Sequence, residues 1–228
     1  MQSNIKCTIY RTKRKSLLLK LKNDGSLALY CPKGCPKKKA LDFLNANYGK
    51  MARLASEKEK KHLLTLFGGS LSSPTLLYFG ERYPVLFGNV KKLIFDGKTF
   101  ISPENASPED LRDYYKDFLR AEAKRLLPSL TEKLAGEHGF TFSRVFIKDI
   151  SSRFGSCSSK KNINFSLALP AFSESFINYI VIHELTHTVH LDHSKEFHCL
   201  LERCLPNARQ VAQRYKKAYS DVLRSICR

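Results

Sequence analysis

The stretch from Phe176 to His187, FINYIVIHELTH, constrains this chain more than any other. Phe176, Ile177, Tyr179, Ile180, Val181, Ile182 and Leu185 cover nearly the whole circumference of a helix, which predicts that the helix is buried. Three ionisable residues, His183, Glu184 and His187, stand inside it. Buried and unpaired, such groups cost on the order of several kcal/mol, so the fold must give them partners. Residues four apart on a helix are offset by only ~40° and rise by about 6 Å. His183 and His187 therefore present two imidazoles on one face, at a separation that one tetrahedral ion can span. Glu184 points to the side of that pair, where it reaches a water on the ion without ligating the ion. The pattern is the helix-borne H-E-x-x-H of zinc hydrolases, and its spacing has this mechanical reason.

Four of the seven histidines fall between positions 183 and 193. A catalytic zinc takes three protein ligands and leaves one position for water. His190 and His193 compete for the third place. On an unbroken helix His183 and His190 would sit about 10 Å apart along the axis, too far for one ion. His193 returns to the site if the helix ends near residues 190 to 192, and Asp192 followed by an N-cap at Ser194 predicts such an ending. The spacing equals that of the metzincin class, with His190 in place of its helix-breaking glycine; histidine tolerates left-handed backbone better than most side chains. The expected ligands are His183, His187 and His193, with His190 ending the helix or supporting a ligand. His198, flanked by Phe197, Leu200 and Leu201, reads as part of a helix packed on the core.

The flanking sequence divides into two parts. Residues 1–103 read as a basic, mostly β module with one embedded helix. In it, SLLLKLK and SLALYC flank an NDG hairpin turn, a helix runs from Lys37 to Leu64 on Leu41, Leu44, Tyr48, Met51 and Ala55, and a β-meander covers LLYFG, RYPVLFG and KKLIFDGKTFI. Residues 104–228 read as the catalytic domain. Ser107 caps a helix with Pro108 at its first position and Asp110 closing a capping box. That helix runs to Leu127, where Pro128 kinks or ends it, with a second piece to Ala135. RVFIKDI and INFSLAL form two strands joined by SSRFGSCSSKKN, a loop long enough to carry function. Ser194 caps a helix to Leu205, and a last basic helix follows Pro206.

Charge is unevenly placed. Residues 1–100 hold 20 Lys and Arg against 6 Asp and Glu, most of the net +18. Such a surplus suits nucleic acid or another polyanion as a partner. Seven cysteines, an odd number, and the lack of an apolar leader predict reduced thiols and a cytoplasmic location. The pair in CPKGC has no second ligand pair near it, so it reads as loop thiols rather than a zinc knuckle. No apolar run is long enough to span a membrane.

Two segments, SSRFGSCSSKKNINFSLAL and INYIVIHELTHTVHLDHSKEFHCLLERCLP, resemble the YgjP-like metal-dependent hydrolases, relatives of the WLM and SprT-like zinc peptidases. KRKSLLLKLKNDGSLALYCPKG and YFGERYPVLFG are similar to the same group. Phe154 stands where that pattern usually has Trp, Asp192 precedes the third histidine, and His198 takes a place often held by Trp. None of these departures removes a ligand or the base. The resemblance implies an α+β protein with a zincin-like catalytic half, zinc ligands at His183, His187 and His193, and Glu184 as general base.

The expected activity is zinc-dependent hydrolysis of a peptide or protein. One Zn²⁺ is held by three histidines plus water, and Glu184 moves the proton. Arg153 is the expected oxyanion stabiliser, and INFSLAL, if it lies at the sheet edge beside the cleft, would hold the substrate strand. Cys157 reads as a packed thiol rather than a fourth ligand. Two alternatives belong to other classes: a nucleotide phosphoanhydride hydrolase served by the basic half, and a nucleic-acid-binding module with structural zinc.

Overall fold

The computed structural model describes residues 5–22 and 26–227, which form two compact units. The first runs to His62. Its sheet has the order β1-β3-β2, with β1 (Cys7–Thr12) parallel and β2 (Leu18–Leu21) antiparallel to β3 (Leu27–Pro32). The expected pairing of SLLLKLK with SLALYC is present, while the NDG turn lies outside the described residues. Leu19, Leu27, Leu29 and Cys31 pack against Phe43, Leu44, Tyr48 and Met51 of α1 (Lys37–Leu66). Leu41, expected on that face, is exposed. The helix passes through Gly49 without a break.

The second unit runs from Leu63 to Cys227. It opens with a sheet of β4 (Thr75–Tyr78), β5 (Glu81–Gly88), β6 (Ile94–Phe95) and β7 (Phe100–Pro103). The order is β4-β5-β7-β6, with β7 parallel to β5. A simple meander was expected; instead the two-residue β6 turns back through Asp96, whose side chain accepts from the Lys98 and Thr99 N–H groups, and β7 inserts beside β5.

The compact units part at His62/Leu63, not at the expected 103/104. The reason is a shared core. Leu66 and Phe67, then Leu76, Val85 and Phe100, pack with Leu111, Tyr115 and Leu119 of α2 (Pro108–His138). The Tyr115 hydroxyl also donates to the Leu77 carbonyl. The capping box of α2 is formed as expected, from the Ser107 hydroxyl and the Asp110 carboxylate. Pro128 does not end the helix; Gly139 does, in the left-handed region at φ 72°.

A second sheet follows, in the order β8-β10-β9. β8 (Arg144–Lys148) and β10 (Asn162–Ser166) are parallel, and the loop between them contains β9 (Gly155–Cys157), antiparallel to β10. β10 is therefore the central strand, so INFSLAL does not meet the condition of a sheet edge that would let it hold a substrate strand. A 3₁₀ turn (Leu169–Ala171) leads into α3 (Glu174–Thr186), then α4 (Lys195–Cys204) and α5 (Ala208–Ile226). Phe79 and Gly80 N–H groups bond the Pro170 and Ala171 carbonyls. A Cβ at Gly80, φ 84°, would lie 2.8 Å from Ser173 Cα, so only glycine allows the β4–β5 hairpin to seat the start of α3.

Candidate metal centre

Helix α3 is buried on almost every side, as its composition predicts, and ends one turn earlier than expected. Its last helical residue is Thr186, and His187 is the C-cap. The Thr186 hydroxyl donates to the Ile182 carbonyl at 2.7 Å and the Thr188 hydroxyl to the Leu185 carbonyl at 2.7 Å. The following amides bond three or four residues back, Val189 and His190 both reaching the Thr186 carbonyl. Threonine hydroxyls and tightened turns thus satisfy the carbonyls left over at the helix end. His190 does not adopt the left-handed backbone; Phe79, Lys161 and Asn207 are the non-glycine residues at positive φ among those described.

This ending turns the chain back before Ser194, whose hydroxyl accepts from the Phe197 N–H and starts α4. His183, His187 and His193 come together, each offering a nitrogen within 4.8 Å of the others. His183 Nε2 and His193 Nε2 lie 3.2 Å apart. Two nitrogens on a tetrahedral zinc, each bonded at about 2.0 Å, stand about 3.3 Å from one another, so the spacing fits one ion. His187 Nδ1 lies 2.9 Å from the His190 carbonyl, which can only accept; the proton is therefore on Nδ1 and the Nε2 lone pair is free to ligate. His190 serves through its backbone.

Phe197 packs its ring 5.0, 4.6 and 4.8 Å from the centroids of His183, His187 and His193. Its side chain is fully buried and fixes all three imidazoles. The signal available in the sequence was its place three residues after the N-cap, where a first-turn apolar residue faces inward. His198 and Cys157 lie outside the three-histidine group.

Burial lowers the His183 imidazole to about 3, with the neighbouring His187 and His193 adding to the effect, and burial also lowers His187. Both rings are neutral at neutral pH, the state that ligates metal. Glu184 is only 4% exposed. Its burial raises the carboxyl to about 8, opposed by the charge of Arg153. Glu184 Oε2 and His183 Nδ1 are buried with no hydrogen-bond partner. A buried carboxylate oxygen and a cluster of neutral imidazoles are the donor set and the unmet polar demand that a divalent ion with its water would answer.

Glu184 also has a close neighbour across the fold. A Cβ on Gly155 would stand 2.7 Å from Glu184 Oε1 and 2.9 Å from its Cδ, so the carboxyl lies directly on the β9 backbone. Phe154 anchors that approach by packing edge-on to Phe172 and Phe176. Arg153, just before β9, is exposed and lines a cleft of about 270 Å³ with His183 and Glu184.

The sequence is similar to the YgjP-like family, metallopeptidase domain, over residues 15–218. Among solved structures it is similar to the metallopeptidase zymogen abylysin of Pyrococcus abyssi, at 24% identity and a TM-score of 0.37, covering 40% of this chain and 93% of that one. No protein of curated function matches it.

Proposed function

The chain belongs to the YgjP-like metallopeptidase family, and on that premise we propose that it is a zinc-dependent peptidase of zincin-like architecture, with ligands His183, His187 and His193 and general base Glu184. The observation that carries this reading is the convergence of three imidazole nitrogens beside a buried, otherwise unpartnered carboxyl. A bound zinc ion supplies a polarised water and a Lewis-acid contact for the scissile carbonyl. Glu184, desolvated and lying on Gly155, takes the proton from the attacking water and returns it to the leaving amine. Arg153 stabilises the charge that develops on the carbonyl oxygen. The edge strand β9, rather than the central β10, offers its backbone to an extended substrate. Val189 and Leu191, 56% and 66% exposed on the loop that carries His193 back, form an apolar lip that suits a polypeptide.

Glu184→Gln tests the reading. In zinc-loaded protein offered unfolded polypeptides, with nucleoside triphosphates run alongside, the variant retains one zinc and loses at least about a hundredfold in peptide turnover. Undiminished peptide cleavage would overturn the role of Glu184. Nucleotide hydrolysis without peptide cleavage would move the site to phosphoanhydride chemistry.

A further inference from the structure

Lys216 borders the same cleft as His183 and Glu184, yet has no part in the chemistry above. Helix α5 puts it there: Lys216 and Ser220, one turn apart, both line the cleft, while Tyr215 and Tyr219 pack on Phe176 of α3. The Ser220 hydroxyl donates to the Lys216 carbonyl at 2.5 Å, so it is committed to its own helix. The Lys216 ammonium is left as the polar group that α5 contributes to the cleft. Positions three and four residues away on α5 hold Ala212, Gln213, Tyr219 and Ser220, none of them acidic, so the helix supplies no ion-pair partner. Among the described residues no carboxylate lies within ion-pair distance of Lys216 or of Arg153. The one acid lining the cleft, Glu184, is buried at its base.

The walls between these cations are apolar, from Phe154, Phe176, Tyr179 and Ile180. At about 270 Å³ the space takes one or two side chains, not a folded partner. An apolar wall with an unpaired cation at its rim selects a group with a short hydrocarbon stem and a negative end. We infer that this cleft is a specificity site for a substrate carboxylate, either an Asp or Glu side chain next to the cut bond or the free C-terminus of a peptide, with Lys216 as the residue that selects it. The inference rests on the peptidase reading for the bond that is broken, but not for the binding step.

The test has two arms, cleavage and binding. A mixed peptide library cut by the zinc-loaded protein, read by mass spectrometry, should show Glu and Asp favoured roughly tenfold over Gln and Asn at one fixed position near the cut. If the C-terminal carboxylate is the true source, cuts instead gather at a fixed short distance from free C-termini and disappear from amidated peptides. Lys216→Gln should abolish either preference while still cutting neutral peptides, and Lys216→Glu should turn it toward Lys and Arg. In the second arm, a Glu-containing peptide and its Gln twin are titrated into the metal-free protein and followed by fluorescence anisotropy. The Glu peptide should bind roughly tenfold more tightly, and the difference should shrink with salt and vanish in Lys216→Gln. A cleavage profile indifferent to charge, or a preference untouched by Lys216→Gln, overturns the inference and leaves the peptidase reading standing. Lys216-dependent binding of the acidic peptide with no cleavage of any peptide upholds the inference and overturns the peptidase reading.

Discussion

Glu184 shows what decides a site at the scale of single residues. The H-E-x-x-H spacing singles out it and its two histidines as candidates, because helix geometry alone puts those groups on adjoining faces. Gly155 and Phe197 were not legible as site residues, since each meets the site across the fold. Gly155→Ala would push a methyl group into the Glu184 carboxyl. The expected outcome is a loss of about a hundredfold in kcat/KM with zinc content unchanged; kinetics alongside metal analysis check it, and full activity would contradict it. Burial of the same carboxyl sets a pH dependence. Its folded-state value is raised from the ordinary 4.5 to about 8, so the folded, metal-free chain keeps a proton that the unfolded chain releases. That contribution to stability is complete below about pH 4.5 and is lost as pH rises towards about 8. Accordingly, the Tm of the metal-free protein measured against that of Glu184→Gln should fall steadily between about pH 5 and pH 8. A constant difference across the window would contradict the assignment.

Elements show where sequence patterns stop. Capping signals placed the starts of α2 and α4 correctly, because an N-cap is a local bond between neighbours in the chain. The end of α3 was placed a turn too late, because it depends on which carbonyls the Thr186 and Thr188 hydroxyls occupy. The middle position of β10 stays open in the sequence for a similar reason: alternation shows which face of a strand is buried, but not which strands flank it. The threonines matter for the site. The turn they stabilise presents the His190 carbonyl to Nδ1 of His187, the proposed ligand, and orients its ring. Thr188→Val should cost about 1 kcal/mol of stability and weaken zinc binding by about tenfold. Competition with a chelator measures the second effect, and unchanged affinity would show that the turn does not orient His187.

At the scale of the whole molecule, one helix belongs to two compact units. Residues of α1 up to Met51 pack on the sheet of β1 to β3, while Leu63 and Leu66 belong to the core of the second unit. The change of composition near residue 103 suggested a boundary there, but β4 to β7 share apolar residues with α2, and buried contacts rather than composition decide where a unit ends. The mixed α+β class was legible from the alternating runs of period two and period 3.6. In the proposed function these packed elements hold three imidazoles around one ion and leave a fourth position open. X-ray absorption at the zinc edge, on protein loaded with one equivalent, tests it most directly. The expected result is a first shell of nitrogen and oxygen only, at about 2.0 Å, with three imidazole signatures, one of which His193→Ala removes. A sulfur scatterer at about 2.3 Å, as from Cys157, or a shell unchanged in His193→Ala, would contradict it.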